Sequence, residues 1–398
     1  MSVPYALHAK TAVSATDNNA WKKNGNNNTD VATQFIGTTD FNDLQFKVDS
    51  QKSGIIEAND GLYNNTIKNG NTSWGFQALY SNQQGYYNVA NGYQSLFSNT
   101  TGYYNVANGV VALYNNTTGN NNIAMGGSAL FTNITGDKNI ALGPLSLYGN
   151  TSGIGNIAIG DGTLKNNIYG SSNIAIGSES LHSQQSGYDN VAIGYKSLFS
   201  VTGWRNTAIG SEAGRFLPSA VNNVTCIGYL TGWNSTSSNQ INIGNFSVTS
   251  IGGQVNWATY SDKRIKNNVK ENVPGLAFIN QLKPVTYNLD IKKQYELAMN
   301  GKKDETSDYP EKYDIEKIIQ TGFLAQDVEI ASKNLGYNFS GVEAPKDGHG
   351  LYKLRYSEFV VPLVQAVKEL STENEVLKQK NIDLEKRLKA LEDKISKL

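Results

Sequence analysis

Side chains able to do chemistry are sparse over most of this sequence. Cysteine occurs once, at Cys226, so no internal disulfide can form, and His8, His182 and His349 stand too far apart for any zinc-ligand spacing. Metal and redox chemistry are not expected, and nothing calls for a cofactor. Gly153-Ile154-Gly155 matches only the first part of a nucleotide-binding glycine loop and falls inside a glycine-periodic array, where it reads as repeat punctuation. A glycosidase needs a pair of carboxylates, and the repeat region offers only Asp137, Asp161, Glu179, Asp189 and Glu212, so such a pair would have to be shared between subunits. His349, between glycines in Lys346-Asp347-Gly348-His349-Gly350, reads as a solvated loop residue rather than the partner of a serine. One short block is dense in hydroxyl and charged groups: Ser261-Asp262-Lys263-Arg264-Ile265-Lys266.

The elements around that block differ sharply in composition. The 398 residues allow two or three domains at roughly 150 residues each. The 34 basic and 34 acidic side chains balance, which disfavours non-specific nucleic-acid binding. Residues 1–260 hold 11 of the basic and 12 of the acidic side chains, and residues 261–398 hold 23 and 22, so two unlike modules join near residue 260. The longest apolar run, Phe359 to Val364, falls far short of the roughly 18 residues of a membrane-spanning helix, so no membrane span is expected. The amino terminus lacks the basic-then-apolar layout of a secretory leader, which implies another exit route or a leader trimmed away.

The first module repeats. Gly75, Gly92, Gly109, Gly126, Gly143, Gly160, Gly177 and Gly194 are spaced by seventeen, and degenerate copies at Gly210, Gly228 and Gly244 bring the total to about eleven. Four residues after each of the first eight stands a leucine, from Leu79 to Leu198, and four before stands an asparagine, from Asn71 to Asn190. A unit this short suits one coil of a β-solenoid, with leucines stacked in an apolar column and asparagines in amide ladders. Glycines belong where φ is positive or where adjacent walls approach closely. Leu113, Leu130 and Leu147 are thus expected in the core. The sequons at Asn99, Asn116 and Asn133 read as turns rather than glycan sites. Tyr86, Tyr87, Tyr103, Tyr104, Tyr188, Trp204 and Trp233 are expected to pack between protomers, with a sugar-binding platform as the alternative. Upstream, Phe35 to Thr39 and Leu44 to Val48 read as a short β segment that starts or anchors the repeats.

The N-I-A-I-G pentad, as in Asn156 to Gly160 and Asn173 to Gly177, resembles the head repeats of trimeric autotransporter adhesins, although seventeen is longer than that family's usual coil. The resemblance implies three chains, each a β-roll, packed around a common axis. In the second module, Ser261 to Lys266, Thr321-Gly322-Phe323-Leu324-Ala325-Gln326-Asp327-Val328-Glu329, and Tyr356-Ser357-Glu358-Phe359 leading into Val361 to Leu370 resemble the intramolecular chaperone auto-processing domain of bacteriophage endosialidases and tail fibres. That family trimerises the fibre ahead of it and then cuts itself off with a serine-lysine dyad. By motif, the resemblance implies Ser261 as nucleophile, Lys266 as base and Tyr260–Ser261 as the scissile bond. A lysine serves as base only if burial or nearby positive charge lowers its proton affinity, and Lys263 and Arg264 stand where their charge would help. Five residues apart, the two side chains lie about 140° apart on a helix and on opposite faces of a strand, so a turn or a partner subunit must join them.

The last segment has clean heptads, with Leu363, Leu370, Leu377, Leu384, Leu391 and Leu398 at d and Val360, Val367, Asn374, Asn381, Leu388 and Ile395 at a. Asparagine at a often favours dimers, so the trimer rests on the resemblance. The expected architecture is mainly β: a β-solenoid rod of seventeen-residue coils, then an α+β chaperone domain ending in a trimeric coiled coil. Its divisions are 1–70 lead-in, 71–260 rod, 261–369 chaperone and auto-peptidase, and 370–398 coiled coil. The expected function is a homotrimeric tail fibre or adhesin, in a virion or at a cell surface, whose rod binds a surface glycan or protein. The alternatives are an uncleaved adhesin or a polysaccharide-degrading spike with an inter-subunit active site.

Overall fold

The computed structural model describes residues 43–57, 62–63, 66–67, 69–233, 235, 237–255, 257–298, 311–345 and 351–396. Phe35 to Thr39, His8, the His349 loop and Leu398 lie outside the described residues. The chain separates into two compact units, Met1–Lys138 and Asn139–Leu398.

In the first unit, Leu44–Val48 and Gln51–Ile56 form an antiparallel hairpin turned by Asp49 and Ser50 at positive φ. Its second strand pairs antiparallel with the first coil strand, Thr72–Trp74, and Phe46 packs edge-on against Trp74 at 4.8 Å. The lead-in therefore covers what would be a bare sheet edge. Coil strands Val89–Asn91, Val106–Asn108 and Ile123–Met125 follow in parallel register. The second unit continues the same pattern with Ile140–Leu142, Ile157–Ile159, Ile174–Ile176, Val191–Ile193, Thr207–Ile209, Val224–Ile227 and Gln240–Ile243.

Each three-residue coil strand turns its middle residue inward. Ala107, Ala158 and Ala175 are completely buried, and Cys226 stands in this same column, where burial pushes its thiol up to about 11. The leucines fill the rest of the interior: Leu79 through Leu198 are completely buried. Positive φ is not confined to glycine. Leu113, Leu130, Leu147 and Leu164 sit at φ 50–52° in the left-handed region, and the N–H groups of Leu113, Leu147 and Leu164 donate to carbonyls of the next coil, Leu164 to Ser180 at 3.0 Å. That conformation costs about 1–2 kcal/mol per residue. Complete burial of a leucine returns about 1.5–3 kcal/mol, so the stacked interior offsets the strain.

The pentad glycine has no alternative residue. At Gly177, with φ 117°, an added Cβ would lie 2.7 Å from the carbonyl carbon of Gly194 in the next coil. The asparagines ladder as expected. Asn156 donates its backbone N–H to Asn139 Oδ1 at 3.0 Å and its Nδ2 to the same oxygen at 3.1 Å and to the Gly170 carbonyl at 2.8 Å. A second ladder runs through Asn82, Asn99, Asn116 and Asn133, each step 2.8 Å. The three sequon asparagines are thus fully buried and hydrogen-bonded inside the coil.

Side chains outside the coil stack in columns. Tyr86 lies on Tyr103 at 4.8 Å, Tyr87 on Tyr104 at 5.2 Å, and Tyr188 on Trp204 at 5.4 Å. Trp233 departs from the surface role expected of it. It is only 6% exposed, packed with Leu230 and Phe246 from the last coils against Ile291, Tyr295 and Ile315. The chain that follows the solenoid therefore folds back and closes its end, and Ser247 Oγ donates to the Lys312 carbonyl at 2.8 Å across the same contact.

Beyond residue 261 the fold is α+β. Val285–Tyr287 pairs antiparallel with Gln320–Gly322, and Val342–Glu343 with Lys353–Leu354. Helices Leu276–Ile279, Ile291–Ala298 and Ala325–Asn334 lead to a 36-residue terminal helix, Val360–Ile395. Pro362 is tolerated there because it lies in the first turn. Phe278, Val328, Ala331, Phe339 and Phe359 form the core. The heptad leucines are exposed, Leu377 at 55% and Leu384 at 59%, so one copy of the helix leaves its apolar seam in water.

Candidate functional site

Residues 261–272 are all exposed and lie between the end of the solenoid and the helix Leu276–Ile279. Within them, Lys263–Ile265 forms a single 3-10 turn. Asp262 caps it, accepting from the Arg264 backbone N–H at 2.8 Å. The Arg264 guanidinium forks onto the same carboxylate, with Nη2 to Oδ2 at 2.6 Å. These hydrogen bonds, the side-chain one foremost, hold the Asp262 carboxyl below its ordinary range and raise Arg264. The turn is thus tied at its start by a charge-assisted clamp.

The clamped turn lies between Ser261 and Lys266. One tight turn folds a five-residue separation back on itself, and Lys266 Nζ donates to Ser261 Oγ at 2.6 Å. Neither a helix nor a strand brings these positions together. Arg264, read from sequence as a charge available to Lys266, spends its guanidinium on Asp262 instead. Sequence reasoning passed over Asp262 itself. The signal was present, since aspartate directly before a short turn is a preferred capping residue. Tyr260, the other side of the expected scissile bond, is 95% exposed and lies outside any helix or strand.

The two later motifs meet each other within the domain core. The Phe323 ring stacks on Phe359 at 5.3 Å, and its backbone N–H donates to the Tyr356 hydroxyl at 3.1 Å. Gly322 leaves room for that hydroxyl, because a Cβ there would collide with it. Glu369, from the terminal helix, accepts from the Leu276 N–H at 2.7 Å, and this bond, with one from Gln365, lowers its carboxyl. So the second and third motifs build the body that carries the terminal helix, while Ser261 and Lys266 stand out from it in solvent.

Among the described residues no helix is long and apolar enough to cross a membrane. No curated protein and no solved structure matches the chain. Residues 261–337 match the family model described as chaperone of endosialidase, and the match begins at Ser261 itself. Domains of that family act in trimers and cut themselves, which implies a fibre-like protein with an autoproteolytic chaperone. The chain thus carries, behind a β-solenoid, a carboxy-terminal region similar to the chaperone of endosialidase family over residues 261–337.

Proposed function

We propose that this chain is a homotrimeric tail fibre or adhesin whose carboxy-terminal domain assembles three copies and then severs itself between Tyr260 and Ser261. The observation that carries this reading is the 2.6 Å contact between Lys266 Nζ and Ser261 Oγ, at the point where the family match begins. In the neutral form Lys266 takes the hydroxyl proton. Ser261 Oγ then adds to the adjoining Tyr260 carbonyl carbon, the peptide C–N bond breaks, and the proton passes to the departing Ser261 amine. Water hydrolyses the resulting ester, leaving a Tyr260 carboxylate and restoring the Ser261 hydroxyl. Attack on the preceding carbonyl is intramolecular, which removes the entropic cost of bringing the groups together. Both dyad residues are exposed in one copy, so the burial that frees the lysine lone pair comes from neighbouring copies, and cleavage follows assembly.

The released or retained solenoid contacts a host glycan or protein. Tyr87 and Tyr104, stacked and 40% and 50% exposed, offer the flat apolar rings that suit a sugar face. Ser261→Ala and Lys266→Ala test the chemistry. Both variants are expected to stay full length while light scattering still reports a trimer, because neither residue belongs to the heptad seam or the repeat. Cutting at the normal rate in either variant would remove that residue from the mechanism.

A further inference from the structure

Two positions of each coil, two and five residues after the pentad glycine, change character at the carboxy-proximal end of the solenoid. In three successive coils they are Glu179 and His182, Lys196 and Phe199, and Glu212 and Arg215, all half-buried. In the next coil, after Gly228, they are Leu230 and Trp233, only 1% and 6% exposed. What covers this apolar pair comes from beyond the Tyr260–Ser261 bond. Between the strands Val285–Tyr287 and Gln320–Gly322 the chain makes a lobe that carries the helix Ile291–Ala298 and the 3-10 turn Asp314–Lys317. Asn288 Nδ2 donates to the Glu316 carbonyl at 2.8 Å, and Glu316 Oε1 accepts from the Ile291 N–H at 2.8 Å, so the two sides of the lobe are tied together. Ile291, Tyr295 and Ile315 of the lobe then join Leu230, Trp233 and Phe246 in one buried cluster, with Trp233 stacked on Tyr295 at 6.3 Å and Phe246 edge-on to it at 6.2 Å.

The segment that holds the scissile bond is built differently. Every described residue from 248 to 272 is exposed, and only Lys263–Ile265 among them has regular structure. Both ends of this strap are anchored: Phe246 in the cluster, and Leu276 through its N–H to Glu369 of the terminal helix at 2.7 Å. A cut in such a strap opens a loop and removes no contact of the cluster. It turns an intramolecular contact into one between two chains, and the hold then depends on the cluster and on how many clusters act together. In a trimer there are three, joined on one side by the terminal helices, so all three must let go at once.

We infer that the cut between Tyr260 and Ser261 nicks the molecule without parting it: residues 261–398 stay seated on the last coils through this cluster, and their departure is a separate step. This rests on the cleavage reading above. Departure would bare Leu230, Trp233 and Phe246 together, an apolar patch at the solenoid end that the docked lobe keeps from water.

The native chain, folded and cut, is passed over a size-exclusion column without denaturant, and each fraction is run on a denaturing gel. The expected result is both fragments in one peak. Separate peaks overturn the inference and leave the cut standing, whereas a single full-length band overturns the cleavage reading. The contact is tested apart from that reading in the full chain with Ser261→Ala and a site-specific protease sequence inserted between Gly252 and Gly253, in the exposed strap. After digestion the two pieces are expected to co-elute, and their separation overturns the contact. Trp233→Ala and Tyr295→Ala, one from each side of the cluster, are expected to speed loss of the carboxy-terminal piece about tenfold or more. Tyr295→Ala leaves every coil residue in place and so serves should Trp233→Ala not fold. Unchanged retention in Tyr295→Ala would place the hold elsewhere and overturn the assignment.

Discussion

A lysine accepts a serine proton only in its neutral form, and an arginine at the same place stays protonated at any workable pH. Lys266→Arg is therefore expected to keep the charge and lose the cut, read as a full-length band in an assembled trimer. The clamp beside the dyad makes a separate prediction. Asp262 fixes the 3-10 turn through Arg264, so Asp262→Ala is expected to slow cleavage on the order of ten-fold or more by loosening the Ser261–Lys266 approach, with assembly unchanged. Equal cleavage rates for Asp262→Ala and the native chain would show that the trimer, not the turn, positions the pair. At this scale the pair came from the resemblance, since five-residue spacing by itself argued against contact. The turn that reconciles the two depends on a side-chain cap and a guanidinium fork, neither of which periodicity can report.

Stacked coils share their interior, so loss at one position is felt by its neighbours. Leu130 is completely buried and already pays for a left-handed backbone, and Leu130→Ala keeps that strain while emptying the site. A loss of about 2–5 kcal/mol is expected in the unfolding of the first unit, measured by denaturant titration. A change near zero would mean that the leucine column carries no weight. The terminal helix supplies a pH-dependent tie through Glu369. Its carboxyl is lowered by the Leu276 N–H, so its contribution is present above the ordinary carboxylate value of about 4.3 and is lost as pH falls through the depressed value in the fold. Amide exchange at Leu276 is expected to quicken on acidification, and Glu369→Gln to lose that step. The repeat, the leucine column and the first amide ladder were legible because a period of seventeen projects each position onto one column. Leucine at positive φ was not legible, because that preference is set by stacked neighbours and runs against the residue's own. Nor was the burial of Trp233, which depends on a segment some sixty residues downstream (Tyr295) folding back on the last coil.

On the proposed reading the whole molecule joins three demands: a solenoid that needs register, a helix that needs partners, and a bond to be cut once both are met. Leu384 lies on the heptad seam and far from the dyad in sequence, so Leu384→Pro is expected to break the helix and leave the chain both unassembled and uncut. Efficient cutting in that variant would separate the chemistry from assembly. The most direct measurement is intact-mass and amino-terminal analysis of the native chain after it has folded and reached its assembled state. The account predicts two fragments, one ending at Tyr260 and one beginning at Ser261. An intact 398-residue chain in a verified trimer, or a new amino terminus anywhere but Ser261, would contradict it.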